Sequence, residues 1–156
     1  MITIEQIYHW LEEVKDPEIP VLSLVDLGVI TNVAITDEKV AVVMTPTFVG
    51  CPALDMMKAE VIQTLQNHGV AEVSVDISYN PAWSSDRISD KGKAALKAFG
   101  LAPPQSALIP DIDLLDNAIC PRCNGSKTEL KSAFGATLCR SIYYCHDCLE
   151  SFEQFK

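Results

Sequence analysis

No stretch of this chain approaches the eighteen or so consecutive apolar residues that a membrane helix requires, although 48% of its 156 residues are apolar. That content is enough to fill a core and excludes a disordered chain. The opening run, Met1-Ile-Thr-Ile-Glu-Gln-Ile-Tyr-His-Trp10, lacks the basic region and apolar stretch of a secretory signal. A cytoplasmic protein without membrane contact is therefore the expectation. Positive charge is also scarce. Net charge is −9; up to Pro110 fourteen acids face seven bases, and beyond it seven face five. Nucleic-acid binders carry a basic stripe, so no nucleic-acid partner is expected of either part, and protein contacts are favoured instead.

Several catalytic signatures are missing as well. A di-iron carboxylate centre needs paired Glu-x-x-His motifs on helices. The chain has none, and its three histidines, His9, His68 and His146, are far apart. No Gly-x-Gly-x-x-Gly or Walker loop is present for a nucleotide, nor a Cys-x4-Cys-x2-Cys run for a ferredoxin cluster. Oxygen activation is not expected of this chain itself.

What is present begins with Thr3 and Gln6, a capping-box pair ahead of a helix that should bury Ile4, Ile7, Leu11 and Val14. Asp16-Pro-Glu-Ile-Pro20 ends it, because proline denies the helical region to the residue before it. Leu27–Ile35 and Lys39–Thr45, rich in valine and isoleucine, predict a hairpin through Thr36-Asp37-Glu38. Pro52 is expected at the first position of a helix that runs to about His68, buries Leu54, Met57, Val61 and Leu65, and ends at Gly69. Val70–Ser78, with Val73, Val75 and Ile77 inward, predicts a third strand, and Ser89–Phe99 a last helix closed by Gly100. The fold class is α+β: an α-β-β-α-β-α layer domain over residues 1–100, a linker over 101–117 with Leu108, Ile109, Leu114 and Leu115 as its apolar residues, and a zinc ribbon over 118–156.

The ribbon rests on the cysteines. Five of the six fall between Cys120 and Cys148, and in a reducing compartment such a cluster points to metal, not disulfides. Cys120-Pro-Arg-Cys123 and Cys145-His-Asp-Cys148 are two Cys-x-x-Cys knuckles with twenty-one residues between them. Each presents two thiolates, and together they complete the tetrahedral set of a structural Zn2+, with no position left for water or substrate. Cys139 reads as a buried spare thiol and His146 as a solvent-facing side chain.

Cys51 stands apart, behind Gly50 and at the expected start of a helix, where free N–H groups favour a thiolate. A small cysteine also suits such a turn for packing alone. Around it, Asp16-Pro-Glu-Ile-Pro-Val-Leu-Ser-Leu-Val-Asp-Leu-Gly28 and Thr45-Pro-Thr-Phe-Val-Gly-Cys-Pro52 resemble the two motifs of the metal-sulfur-cluster assembly factor family. The loop before Cys51 is longer than the Ser-Pro-Gly type of simpler members. By position, the resemblance implies a functional set of Asp16, Glu18, Asp26, Thr45, Thr47 and Cys51, with transient iron or an iron-sulfur cluster at Cys51. From the residues alone, Asp16 and Asp26 read equally as turn caps, Glu18 as a solvated acid and the threonines as loop-shaping.

Joined to a C-terminal ribbon, the domain is similar to a narrower family, the D subunits of the phenylacetyl-CoA epoxidase (oxygenase) systems of phenylacetate catabolism. That resemblance implies an accessory protein of the oxygenase complex, not an enzyme. Its partners would be protein components of the oxygenase, among them the iron-sulfur reductase, and a homodimer is left open. Two readings compete: a maturation factor that assists iron or cluster insertion, and a structural subunit or scaffold without metal transfer. An enzyme with Cys51 as nucleophile is a third, for which no histidine base lies nearby in sequence.

Overall fold

The computed structural model of the chain describes residues 1–37, 39–104 and 118–155. Helix α1 (Ile4–Leu11) opens with the expected capping box: Gln6 N–H donates to Thr3 Oγ1 at 3.3 Å, and Thr3 N–H donates to Gln6 Oε1 at 3.0 Å. Ile7, Leu11 and, beyond the helix end, Val14 are buried. Ile4, expected in the core, is 44% exposed; it is the first helical residue, and the packed face starts one turn later.

Strands β1 (Ile30–Thr36) and β2 (Lys39–Met44) form the expected antiparallel hairpin, with Thr36 opposite Lys39 and a left-handed Asp37 (φ 49°) in the turn. β1 starts at Ile30 and not at Leu27, because Ser23–Gly28 is wound into a turn: Leu27 N–H donates to Ser23 O at 2.9 Å and Gly28 N–H to Val25 O at 3.0 Å. Gly28 has φ +74°, and a Cβ there would lie 2.5 Å from Arg87 Cβ and 2.6 Å from Arg87 O. Only glycine fits that approach.

Helix α2 (Leu54–Asn67) crosses from β2 to β3 (Glu72–Ile77), which pairs in parallel with β2 from Lys39↔Glu72 to Met44↔Ile77. The sheet order is β1-β2-β3. Alternate residues of β2 (Val40, Val42, Met44) are buried, as are Met57, Val61 and Leu65 of α2. α2 starts later than expected: Ala53 is its N-cap, so Pro52 lies outside the helix and Leu54 is only half-buried. A 3-10 turn (Ser85–Arg87) leads to α3 (Asp90–Phe99). Ser89 Oγ accepts the Gly92 N–H at 2.9 Å, and Gly100, at φ +92°, follows the last turn.

The chain divides into two compact units, Met1–Gly92 and Lys93–Lys156, with the division inside α3. In the second unit β4 (Leu101–Ala102), β5 (Thr128–Ser132), β6 (Arg140–Cys145) and β7 (Ser151–Phe155) form one sheet of order β4-β7-β6-β5, antiparallel except for β4 against β7. Leu101 and Ala102 were expected in a linker; they are buried strand residues, recruited because an edge of β7 is open to them. The rest of that expected linker from residue 105 to 117, with Leu108, Ile109, Leu114 and Leu115, lies outside the described residues.

Candidate functional site

In the second unit the two knuckles are built alike. Cys120 N–H donates to Gly125 O at 3.0 Å and Asn124 N–H to Cys120 O at 3.0 Å; Cys145 N–H donates to Glu150 O at 2.9 Å and Leu149 N–H to Cys145 O at 2.9 Å. The residue after each second cysteine is left-handed, Asn124 at φ 59° and Leu149 at φ 61°. This repeated turn brings all four Sγ atoms within 4.8 Å of one another. Cys120 Sγ lies 3.7 Å from Cys148 Sγ, and Cys123 Sγ 3.6 Å from Cys145 Sγ. A tetrahedral zinc with Zn–S bonds of about 2.3 Å sets its sulfurs about 3.75 Å apart, so the cradle fits that ion.

Four thiols in this space do not ionise alike. The Cys148 N–H, with further donors, draws Cys145 down to about 7, while burial foremost pushes Cys148 up to about 12. A dication reconciles them, since it holds every ligand as thiolate. Two ligands are also core residues: Cys120 and Cys145 are buried with Ala102, Ala118, Tyr143 and Phe152, and Cys148 packs against that cluster. Cys139 is no ligand. It is buried in the turn before β6, with its Sγ 3.0 Å from Thr137 Oγ1. His146 faces away from the thiols, 3.1 Å from Glu129 Oε2 and edge-on to Tyr144.

In the first unit, backbone bonds gather the segments that carry the expected set, 14–29 and the start of the Cys51 loop, at the end of the sheet where the chain leaves β2 and β3. A ladder of backbone bonds ties the segments there: Leu24 N–H to Val14 O at 3.0 Å, Asp16 N–H to Leu22 O at 2.9 Å, Val29 N–H to Leu24 O at 3.0 Å, and Thr45 N–H to Val29 O at 2.8 Å. Ser78 N–H donates to Met44 O at 2.9 Å and the Trp83 indole to Leu27 O at 2.9 Å. The β-bulge at Thr31 turns its hydroxyl to Thr45 Oγ1, 3.2 Å away.

Asp16 and Asp26 serve this frame. Asp16 Oδ1 accepts the N–H groups of Glu18 and Ile19 at 2.8 and 2.9 Å, an Asx-turn. Asp26 accepts hydroxyls from Ser23 (2.8 Å) and Ser89 (2.7 Å), with Lys91 Nζ at 3.5 Å. Burial alone would raise its pKa, but the two hydroxyls and the Lys91 charge together hold it below the ordinary value. Glu18 is exposed on the turn that Asp16 caps, Thr45 is buried and Thr47 half-buried.

Cys51 is half-buried on the loop after Thr45. Its carbonyl accepts the Leu54 N–H at 3.3 Å, so a turn separates it from α2 and it stands two residues before the N-cap Ala53. The expected position at the helix end is corrected accordingly. Sequence reading also missed Thr31, Ser23, Ser89, Lys91 and Trp83. Ser23, three residues before Asp26, carried a local turn signal; the others meet the site only through tertiary contacts.

A small α+β domain with a half-buried cysteine on the loop that leaves the central strand β2, followed by a closed four-thiolate ribbon, defines a class of metal-handling accessory domain. Residues 4–77 match the model of a family described as iron-sulfur cluster assembly protein, and residues 113–156 match the PaaD zinc beta ribbon domain. An Escherichia coli (strain K12) protein, provisionally named as the D subunit of a 1,2-phenylacetyl-CoA epoxidase, is 34% identical over 98% of this chain and 92% of its own length. The chain belongs to that family of epoxidase D subunits. An Fe-S protein maturation auxiliary factor of Porphyromonas gingivalis (strain ATCC BAA-308 / W83) is 38% identical over 60% of this chain and 90% of its own. Among solved structures, a DUF59 domain of unknown function from Bacillus anthracis superimposes with TM-score 0.56 at 33% identity, covering 59% of this chain and 89% of that one. A conserved hypothetical protein from Thermotoga maritima does so with TM-score 0.52 at 29% identity, over 64% and 96%.

Proposed function

We propose that this chain is an accessory maturation factor for a multicomponent phenylacetyl-CoA oxygenase, assisting insertion of iron or an iron-sulfur cluster into a protein component. What carries the reading is the position of Cys51. A soft thiol ligand stands half-buried on a loop anchored by Thr45 to a rigid polar frame, in a domain whose relatives are named Fe-S protein maturation auxiliary factors. A ligand that must hand its cargo on has to be reachable by the recipient. The four-thiolate site suits the opposite task, because zinc closed in by four sulfurs exchanges nothing and fixes a surface. The recipient favoured here is the iron-sulfur reductase of the oxygenase.

The test is the iron content and visible spectrum of anaerobically purified chain after exposure to ferrous iron and sulfide. Wild type should hold substoichiometric iron with a sulfur-to-iron absorption band, and Cys51→Ser should lose both while keeping its zinc. Equal iron in the two proteins would remove Cys51 from the account. One observation favours a second reading, a permanent structural component of the complex: the E. coli relative that matches along nearly the whole chain is named as a subunit. Stoichiometric co-purification with the oxygenase, and a stoichiometric requirement after every component is loaded with iron, would select that reading.

A further inference from the structure

The three segments that meet at the Cys51 end of the sheet, 16–29, 45–56 and 78–86, contain five acids (Asp16, Glu18, Asp26, Asp55 and Asp86) and not one lysine or arginine. The remainder of the first unit carries Lys15, Lys39, Lys58, Arg87 and Lys91. At the border of this end, Lys91 is engaged by Glu12 and Asp26, and Arg87 backs onto Gly28. The segments are brought together by the bonds Thr45–Val29, Ser78–Met44 and Trp83–Leu27. Four large apolar side chains stand exposed on these segments: Val21, at 47%, on the 16–29 turn, Val49, at 79%, on the Cys51 loop, Met56, at 48%, in the first turn of α2, and Tyr79, at 42%, two residues after β3. The last three flank the Cys51 loop in sequence or follow the strand paired with β2. Glu18, Asp55 and Asp86 are exposed on the same segments.

We propose that Val49, Met56 and Tyr79 form the docking surface for the protein that exchanges cargo with Cys51, and that this partner presents an apolar patch rimmed by lysine and arginine. The inference rests on the maturation reading and adds to it the partner's surface chemistry. Apolar centres with a charged rim are the usual anatomy of a protein interface. Flexible methionine and amphipathic tyrosine suit repeated, transient contact. The sign of the charge selects the occupant: a predominantly acidic rim, five acids with Lys15, Arg87 and the paired Lys91 at its border, disfavours phosphate backbones and anionic lipid headgroups and attracts a basic protein surface. Docking over Cys51 would also exclude water from the thiol during exchange.

The experiment measures binding of the zinc-loaded full chain to the purified, iron-free reductase component, by titration at two salt concentrations. Val49→Ser, Met56→Ser and Tyr79→Ser combined should weaken binding about tenfold or more, with an unchanged thermal melt showing that the fold is intact. Ile4→Ser, which alters an equally exposed apolar residue on α1, should change binding by less than about twofold. Asp55→Lys with Asp86→Lys should weaken binding severalfold at low salt and flatten its salt dependence. Weakening by both sets supports the proposal. Undiminished binding of the triple variant, or no binding by wild type, overturns it. Reductase that binds as described yet is fully loaded in cells lacking this chain would leave the docking surface standing and remove the maturation reading.

Discussion

Asp26 shows how a residue singled out for chemistry can be occupied by architecture. Its carboxylate takes two hydroxyl donors from opposite ends of the first unit, Ser23 and Ser89, sixty-three residues from Asp26 in the second case. Asp26→Asn should cost about 1–3 kcal/mol, because donors aimed at a carboxylate are left facing an amide. The pH dependence follows from the depressed folded value. The stabilisation is complete above the unfolded pKa, about 3.9, and is lost as pH falls through the folded one. Thermal melts from pH 6 down to pH 2.5 should therefore fall more steeply below about pH 4 for wild type than for Asp26→Asn, and parallel curves would contradict this. Gly28→Ala should cost about 2 kcal/mol, since it combines a left-handed φ with a clash against Arg87 backbone; an unchanged melt would contradict that reading. At this scale the sequence was legible where partners are close in the chain, as for Thr3 with Gln6 or Cys120 with Cys123. It reached distant partners only through a repeated motif, as for the two Cys-x-x-Cys knuckles, and was silent for the rest. Neither Thr31 with Thr45 nor Asp26 with Ser89 leaves a local pattern.

At the scale of elements, the α-β-β-α-β-α order was readable because each segment has one dominant periodicity and a clear stop at Gly69 or Gly100. Boundaries moved where local turns competed with propensity. The Ser23–Gly28 turn takes Leu27 to Val29 out of β1, and the turn at Cys51 delays α2 past Pro52. Strand β4 was illegible for another reason: two residues carry no periodicity, and Leu101-Ala102 becomes a strand only because β7 offers an edge. In the ribbon the ligands and the core are one structure, since Cys120 and Cys145 are themselves buried beside Tyr143 and Phe152. Removing the metal should therefore unfold β5, β6 and β7 together, with a loss on the order of 10 kcal/mol of binding free energy. Hydrogen exchange in excess chelator should show protection lost across the ribbon and kept in β1 to β3, and Cys120→Ser with Cys148→Ser should behave as the chelated protein does. Retained protection in β6 without metal would contradict the ribbon account.

On the scale of the whole molecule, an acidic chain carries a closed four-thiolate cluster and a separate half-buried loop thiol, which the proposed function divides between holding shape and passing cargo. The family resemblance was legible from two motifs, but the acidic, apolar character of the Cys51 end of the sheet emerges only when three distant loops come together. The direct test of the central claim is the iron content of the oxygenase reductase purified from cells with this chain, without it, and with Cys51→Ser in its place. The account predicts full loading in the first case and marked under-loading in the other two, with activity restored in extracts by adding reductase already loaded. Full loading in all three would contradict it.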